Sequence, residues 1–323
     1  ARELPGFRGK QIFRHLYAKR ASSFAAMTDL PVALRAALEQ EWSLRTAAVR
    51  ERRASRDGTV KLLVGLADGE AVECVLIPDP VRRTFCLSTQ AGCAFSCRFC
   101  ASGQAGWRRD LGPGAILEQV LLLEAEQGPA TNLVFMGVGE PLANLAALEP
   151  CLEILSSADG WHYAPKRITI STAGLPAGID RLAALGRSWH LALSLHAPDD
   201  AARAELMPIA RRHPLPEVLA SLRHYQDVTG ADLTFEYLLV AGVNDAPEQA
   251  RALVRLLGEW RCHVNLLEYN PVAGSGLKPS PLPAIRQFRD LLEQGGLSVT
   301  QRKKHGRDIE AACGQLRIKP RPG

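Results

Sequence analysis

Three cysteines fall within eight positions, in the segment Cys93-Ala94-Phe95-Ser96-Cys97-Arg98-Phe99-Cys100, with the spacing C-x3-C-x2-C. Thiolates from one short loop can hold three irons of a cubane cluster, because the loop wraps around it. Iron–sulfur clusters ordinarily take four cysteines. A three-cysteine loop therefore leaves one iron open to a chelating small molecule carrying an amino and a carboxylate group. Phe99 would shield such a cluster. Structural zinc is the competing reading, but zinc favours paired C-x2-C units that supply four ligands, and here one C-x2-C occurs with no second pair downstream. Further along stands Gly137-Val138-Gly139-Glu140-Pro141. Glycines let the backbone approach a ligand closely, and a carboxylate can pair with an ammonium group. A dinucleotide fingerprint would need glycine at position 142, where the chain has Leu142. A plain tight turn is the remaining alternative.

Such groups need a scaffold. From about residue 84, apolar strand-like runs (84–88, 132–137, 167–171, 190–195, 233–240, 263–269 and 297–301) alternate with helix-like stretches (114–127, 143–157, 176–185, 215–228, 246–258 and 282–294). Repeated β–α units imply a parallel sheet with helices outside, and six or seven of them make an open or partial barrel. Working residues in such folds sit at the C-terminal ends of the strands. The unusual segments fall there: the cysteine cluster, the Gly137–Pro141 run, Ser171-Thr172-Ala173-Gly174, Ser194-Leu195-His196 and Asn270-Pro271. Upstream, residues 59–66 and 71–78 read as two strands joined at Asp68-Gly69, a good hairpin turn. Ile12, Phe13, Leu16 and Tyr17 recur at helical spacing among Arg8, Lys10, Arg14 and Lys19. Asp29-Leu30-Pro31 opens a second helix, with Thr28 or Asp29 as its cap and Pro31 in the first turn. The domain reading is a basic helical accessory domain over 1–46, a β-strand extension over 47–80, a core barrel over 81–314 and a basic tail over 315–323.

The 323 residues carry a net charge of +5. Residues 1–57 hold twelve Lys and Arg against six Asp and Glu, so the excess lies in that segment. A basic segment on a nearly neutral body suits a polyanion such as nucleic acid, although a solvated charged face has the same composition. Trp107-Arg108-Arg109 and Arg302-Lys303-Lys304-His305 are further candidates for RNA contact, the cations on phosphates and Trp107 stacked on an unpaired base. Eight cysteines in a chain of this length are too few for a disulfide-stapled secreted domain. Cys151, on a helical apolar face, and Cys262, at a strand start, read as small core hydrophobes. Strand alternation turns Cys74 to the sheet face opposite Glu73. No apolar run approaches the length needed to cross a bilayer. The chain begins without an initiator Met and shows no signal-peptide pattern, and a cytoplasmic location is expected.

C-x3-C-x2-C with an aromatic residue before the last cysteine resembles the radical S-adenosylmethionine (SAM) signature, and Gly137-Val138-Gly139-Glu140 resembles the motif with which that superfamily holds the SAM amino group. Gly306-Arg307-Asp308-Ile309-Glu310-Ala311-Ala312-Cys313-Gly314-Gln315-Leu316 is similar to the C-terminal motif of the RlmN/Cfr family of RNA adenine methyltransferases. The resemblance extends to Cys86, seven residues before Cys93, and to Met207-Pro208-Ile209, Val243-Asn244-Asp245 and Met27-Thr28-Asp29-Leu30, and so covers essentially the whole chain. It implies an α/β fold: a partial (β/α)6-type radical SAM barrel with a small N-terminal helical domain and a β-hairpin extension. It implies that Cys93, Cys97 and Cys100 bind a [4Fe-4S] cluster, and that Gly139, Glu140, Ser171, Ser194, Leu195, His196 and Asn270 line the SAM site. Cys313 would carry the methyl group in transit, Cys86 would resolve the covalent intermediate with a Cys86–Cys313 disulfide as product, and Glu73 would accept the ring proton.

The implied reaction consumes two SAM molecules, one to methylate Cys313 and one to supply a radical, because an aromatic C–H carbon is a poor nucleophile. Its implied product is an adenine methylated at C2 in 23S ribosomal RNA, at the peptidyl-transferase centre, and in some members at the adenine 3′ to the anticodon in tRNA. The family also contains enzymes that methylate C8 of the same ribosomal adenine. Partners implied are the RNA and an electron-donor protein such as flavodoxin, with a monomeric enzyme and no membrane. Two further readings are a radical SAM enzyme acting on a peptide or small metabolite, and a zinc-bearing RNA-binding module without catalysis.

Overall fold

The computed structural model describes residues 5–302 and 305–316. Helices α1 (Gly6–Tyr17) and α2 (Val32–Glu41) form the N-terminal unit. It has its own small core of Ala21, Phe24, Met27, Leu30 and Leu34. Pro31 itself precedes α2, with no side-chain cap. The expected cap Asp29 instead places a carboxylate oxygen 2.5 Å from His15 Nε2 on α1, because the segment leading into α2 lies against α1, where Arg8 and Gln11 donate to the Asp29 carbonyl. The unit is fastened to the body by Arg20, whose guanidinium pairs with Glu124 at 2.7 Å, and by Tyr17 against Trp161.

The extension holds three strands, β1 (Ala48–Ala54), β2 (Val60–Gly65) and β3 (Ala71–Pro78), one more than the sequence reading. β1 was missed because Arg50, Glu51, Arg52 and Arg53 hide the apolar alternation that marks a strand. β3 pairs antiparallel with β4 (Arg83–Cys86), so extension and barrel share one sheet. Next come a small hairpin of β5 (Gln90–Gly92) and β6 (Trp107–Asp110), which brackets the cysteine loop and the short α3 (Ala101–Gln104). The β–α units follow: α4 (Pro113–Gln127), β7 (Asn132–Phe135), α5 (Leu145–Ser156), β8 (Ile168–Thr172), α6 (Pro176–Ala184), β9 (His190–Ser194), α7 (Asp200–Leu206), α8 (Leu215–Thr229), β10 (Leu233–Leu239), α9 (Pro247–Leu257), β11 (Cys262–Glu268), α10 (Leu282–Gln294) and β12 (Val299–Gln301).

The sheet order is β1-β2-β3-β4-β7-β8-β9-β10-β11-β12, and every pairing from β4 to β12 is parallel. The sheet ends at β12, which pairs only with β11 among the described residues, so the barrel is partial. Strands buried on both faces read as near-continuous apolar runs, and all seven residues of β10 are buried. Cys151 is fully buried in this core, and the partly exposed Cys262 packs against it. No helix among the described residues is long and apolar enough to cross a membrane.

One residue ties together the strands that carry the site. The Ser88 hydroxyl donates to the Glu73 carbonyl at 2.6 Å and accepts from the Val138 N–H at 2.8 Å. The Gln119 side chain in turn clamps the Ser88 backbone at 2.8 and 2.9 Å. β3, the end of β4, the turn after β7 and α4 thus meet at one buried hydroxyl. Replacing Ser88 by Ala leaves the buried Val138 N–H without its acceptor, and is expected to cost about 1–3 kcal/mol. The check is urea unfolding, with a lower midpoint at unchanged slope; an unaltered midpoint would show that this clamp is dispensable.

Candidate active site

The C-terminal ends of the parallel strands surround a cavity of about 160 Å³. Cys93, Cys97, Cys100, Gly139, Glu140, Ser171, Ser194, His196 and Cys313, distant in sequence, all line it. The cysteine loop is built by local geometry. Ser96 adopts a left-handed φ of 51°, and the Cys100 N–H donates to the Cys97 carbonyl at 3.0 Å. Gly103 lets the loop lie close, since a Cβ there would come within 2.9 Å of the Cys97 nitrogen. The loop is docked on α7 by Arg98 N–H to Leu206 O at 3.0 Å. It is docked on the C-terminal segment by Ala101 N–H to Gly314 O at 2.8 Å. This second contact brings Cys313 to the mouth of the cysteine loop. Burial pushes the Cys93 thiol up to about 12, and the Cys97 thiol well above its ordinary value. Among the described residues, no three His, Cys, Asp or Glu side chains converge as a single metal ion would require.

The glycine–glutamate turn stands opposite. Gly139 has a φ of 105°, and a Cβ there would sit 2.5 Å from Gln90 Cβ, so only glycine fits. The Gln90 side chain accepts from the Glu140 N–H at 2.8 Å. Glu140 is buried, and its carboxylate accepts from the N–H groups of Ala173 (2.8 Å) and Leu142 (3.1 Å). Burial raises its pKa to about 7, against these hydrogen bonds, which lower it. A carboxylate so poised gains from a cationic partner. His196 follows β9 with a left-handed φ of 56°; its Nδ1 accepts from the Leu238 N–H at 3.0 Å, and Phe99 meets its ring edge-on at 4.8 Å. Burial first, and then Arg203, push His196 down to about 3, so it is a neutral imidazole.

Four expected residues, Leu195, Asn270, Glu73 and Cys86, lie outside this cavity. Leu195 is fully buried in the core. Asn270 faces an adjoining cavity of about 390 Å³, donates to the Cys313 carbonyl at 3.4 Å, and has a buried Oδ1 without a partner among the described residues. Glu73 is buried, with Lys61 Nζ 3.0 Å from its carboxylate. That excludes the solvent-facing position open to a strand glutamate. Lys61 also donates to the Glu310 carbonyl at 2.9 Å, linking this pair to the Cys313 segment. Cys86 pairs across the sheet with Val75, so Glu73 shares its face and Cys74 takes the other. Burial, then the nearby Cys313 sulfur, push the Cys86 thiol up to about 12.

Arg302 was read, with Lys303, Lys304 and His305, as a candidate RNA contact. It turns inward and lines both cavities beside Cys313, whose nearby sulfur raises the guanidinium above its ordinary value. Its place directly after β12 was the available signal, since strand ends point at the site. Of its neighbours, His305 lies 3.4 Å from Asp57, and Lys303 and Lys304 lie outside the described residues, as does most of the basic tail. Arg108 and Arg109 are engaged by Glu70 and Asp68 at 2.5 Å, because the β2–β3 turn lies against β6. Trp107 is half exposed and not in the core. Sequence reasoning also missed Arg203, Glu236 and Tyr269; the last two line the cavity from within plain apolar runs, without a motif.

The profile of the Radical SAM superfamily matches residues 87–254, and that of the ribosomal RNA large subunit methyltransferase N-terminal domain matches residues 3–44. The probable dual-specificity RNA methyltransferase RlmN of Rhodopirellula baltica is 48% identical, over 96% of this chain and 85% of the relative. The chain belongs to the RlmN family of radical SAM RNA methyltransferases. The Moorella thermoacetica RlmN relative is 47% identical, over 98% of this chain and 92% of its own. Among solved structures, a radical SAM methyltransferase from Sphaerobacter thermophilus superposes with a TM-score of 0.91 at 41% identity, over 97% of this chain and 94% of that one. The RlmN family draws on the radical SAM superfamily's [4Fe-4S] cluster and SAM. The residues present fit both groups: three thiols on one cavity, a cradle at Gly139 that a Cβ would fill, a buried carboxylate, and the unpartnered Asn270 Oδ1 at the border.

Proposed function

We propose that this enzyme methylates C2 of an adenine in 23S ribosomal RNA, at the peptidyl-transferase centre, and the adenine 3′ to the anticodon in tRNA, with Cys313 as methyl carrier. The carrying observation is that Cys313 lines the same cavity as Cys93, Cys97 and Cys100 and lies close to Cys86. The words "dual-specificity RNA methyltransferase" in the names of the relatives support two RNA targets. A cytoplasmic location follows from those substrates.

Cys93, Cys97 and Cys100 would hold the cluster, and Gly139, Glu140, Ser171, Ser194, Leu195, His196 and Asn270 the SAM. When bound, these groups supply a methyl group and a 5′-deoxyadenosyl radical. The buried Glu140 carboxylate orients the SAM ammonium. The Cys313 sulfur takes the methyl group as a thiolate nucleophile and presents the carbon to the ring. Glu73, buried beside Lys61, accepts the proton leaving C2. The Cys86 thiolate then attacks the Cys313 sulfur; the disulfide bond forms as the bond from that sulfur to the transferred carbon breaks, the carbon keeps the electron pair and takes a proton, and the methylated RNA is released. An external dithiol reductant restores both thiols, and an electron-donor protein such as flavodoxin serves the cluster. Arg8, Lys10 and Arg14 on α1 and Lys19 just beyond its end, with the half-exposed Trp107, supply the RNA-facing surface.

The test is anaerobic incubation of reconstituted enzyme with 23S RNA, tRNA, reductant and methyl-deuterated SAM, followed by mass spectrometry of adenosines. The expected product is 2-methyladenosine carrying two transferred deuteriums. An 8-methyl product would move the enzyme to the C8 branch of the family. SAM cleavage with both RNAs unmodified would favour a peptide or small-metabolite substrate.

A further inference from the structure

Arg203 is fully buried on the short helix α7, beneath the cysteine loop. Its Nη2 donates to the carbonyls of Ala173 and Ser194, while Nε and Nη1 have no partner among the described residues. No carboxylate among those residues stands within ion-pair distance of it. Asp200, on the same helix, is engaged by the Leu215 N–H at 2.6 Å. A buried charge without a counter-ion is strongly unfavourable. A sequence that keeps one there places it where an anion is to be received. The neighbours point to which anion. Arg203 lies near enough to Cys97 for the two charges to interact, and α7 itself receives the Arg98 N–H of the cysteine loop. The Ala173 whose carbonyl it holds donates its own N–H to Glu140.

We propose that Arg203 is a positioning residue that serves as the built-in countercharge of the iron–sulfur cluster and raises the potential at which the cluster is reduced. The inference rests on Cys93, Cys97 and Cys100 holding that cluster. A dicationic cluster core on three thiolates is a net monoanion. One electron from an external low-potential donor makes it a dianion, with no bond formed or broken and no proton taken up. A fixed cation in a low-dielectric surrounding favours the dianion over the monoanion, and net local charge is one of the factors that set cluster potentials. Burial makes the effect large, because water cannot screen it.

The experiment is anaerobic reconstitution of the full chain with iron and sulfide, iron and sulfide analysis, and a dithionite titration followed by electron paramagnetic resonance without SAM. Arg203→Met and Arg203→Gln are compared with Arg203→Lys. The neutral variants are expected to lower the reduction equilibrium constant at least tenfold, a fall of about 59 mV for one electron, whereas Arg203→Lys stays near the parent. Equal potentials for Gln and Lys variants with full iron content would overturn the proposal even if Arg203→Met does not fold. If neutral variants fold but take up no iron while Arg203→Lys does, the cation is needed for the cluster itself, which supports the countercharge. An unchanged potential with weakened SAM binding would assign the guanidinium to the SAM carboxylate and overturn the proposal. A parent protein that takes up no iron would instead remove the cluster assignment on which it stands.

Discussion

Replacing Cys313 with alanine is expected to abolish RNA methylation, with activity falling to the assay background, while iron and sulfide content stay at parent levels. Cys313 touches the cavity from a loop held by other residues: Ala101 N–H to Gly314 O at 2.8 Å, Ser102 Oγ to Leu316 O at 2.5 Å, and Gly306 N–H to Asp57 at 3.0 Å. Its side chain is exposed and makes no core contact that alanine would forfeit. The loop should keep its place, and the loss should be chemical rather than structural, because alanine offers no sulfur to accept a methyl group. The check pairs iron analysis with mass spectrometry of the RNA. A variant that still methylates would remove the carrier role. One that loses both iron and activity would show that the side chain supports the cysteine loop instead.

Replacing Cys86 with alanine is expected to leave RNA covalently attached to the protein at Cys313, visible as a shifted band on a denaturing gel, with free methylated product near zero. The reason is the division of labour between the two sulfurs: one carries the ring and the other must attack it to release the ring. Cys86 sits at the end of β4, buried, with burial and the Cys313 sulfur holding its thiol up at about 12 and Arg302 pulling it down. The thiolate is the attacking species. Burial is the larger cause and persists once Cys313 carries the ring, so between pH 7 and 9 the Cys86 thiol is mostly protonated, and release by the parent enzyme is expected to accelerate about tenfold per pH unit. Release from the variant at the parent's rate, with no adduct, would exclude Cys86 as the resolving thiol.

Arg302 shows why charge alone misleads. In sequence it heads a run of four basic residues and reads as a phosphate contact. In the fold it is the first residue beyond β12, and strand-end geometry carries it into the wall between the two cavities. Arg108 and Arg109 illustrate the same limit. Their pairing with Glu70 and Asp68 arises from the antiparallel turn of the extension folding over β6, a contact across about forty residues that no local pattern records.

The sequence by itself determined the chemistry-bearing parts and their order. The C-x3-C-x2-C spacing, the glycine–glutamate run and the period of the β–α units are local properties, set by how few residues can wrap a cluster, by which residue tolerates a φ near 105°, and by which side chains alternate into a core. Tertiary structure alone decided which of these parts share a cavity. Cys313 meets the cysteine loop because the last segment returns across the open sheet and is pinned by Asp57 of the β1–β2 turn. Glu73 is buried because Lys61 and the Cys313 segment cover it. Arg203, an unremarkable helix residue in the sequence, becomes a buried cation only when α7 closes under the loop. These outcomes depend on contacts between residues far apart in the chain, whose energies come from burial and hydrogen-bond satisfaction in the assembled fold and leave no mark on local spacing.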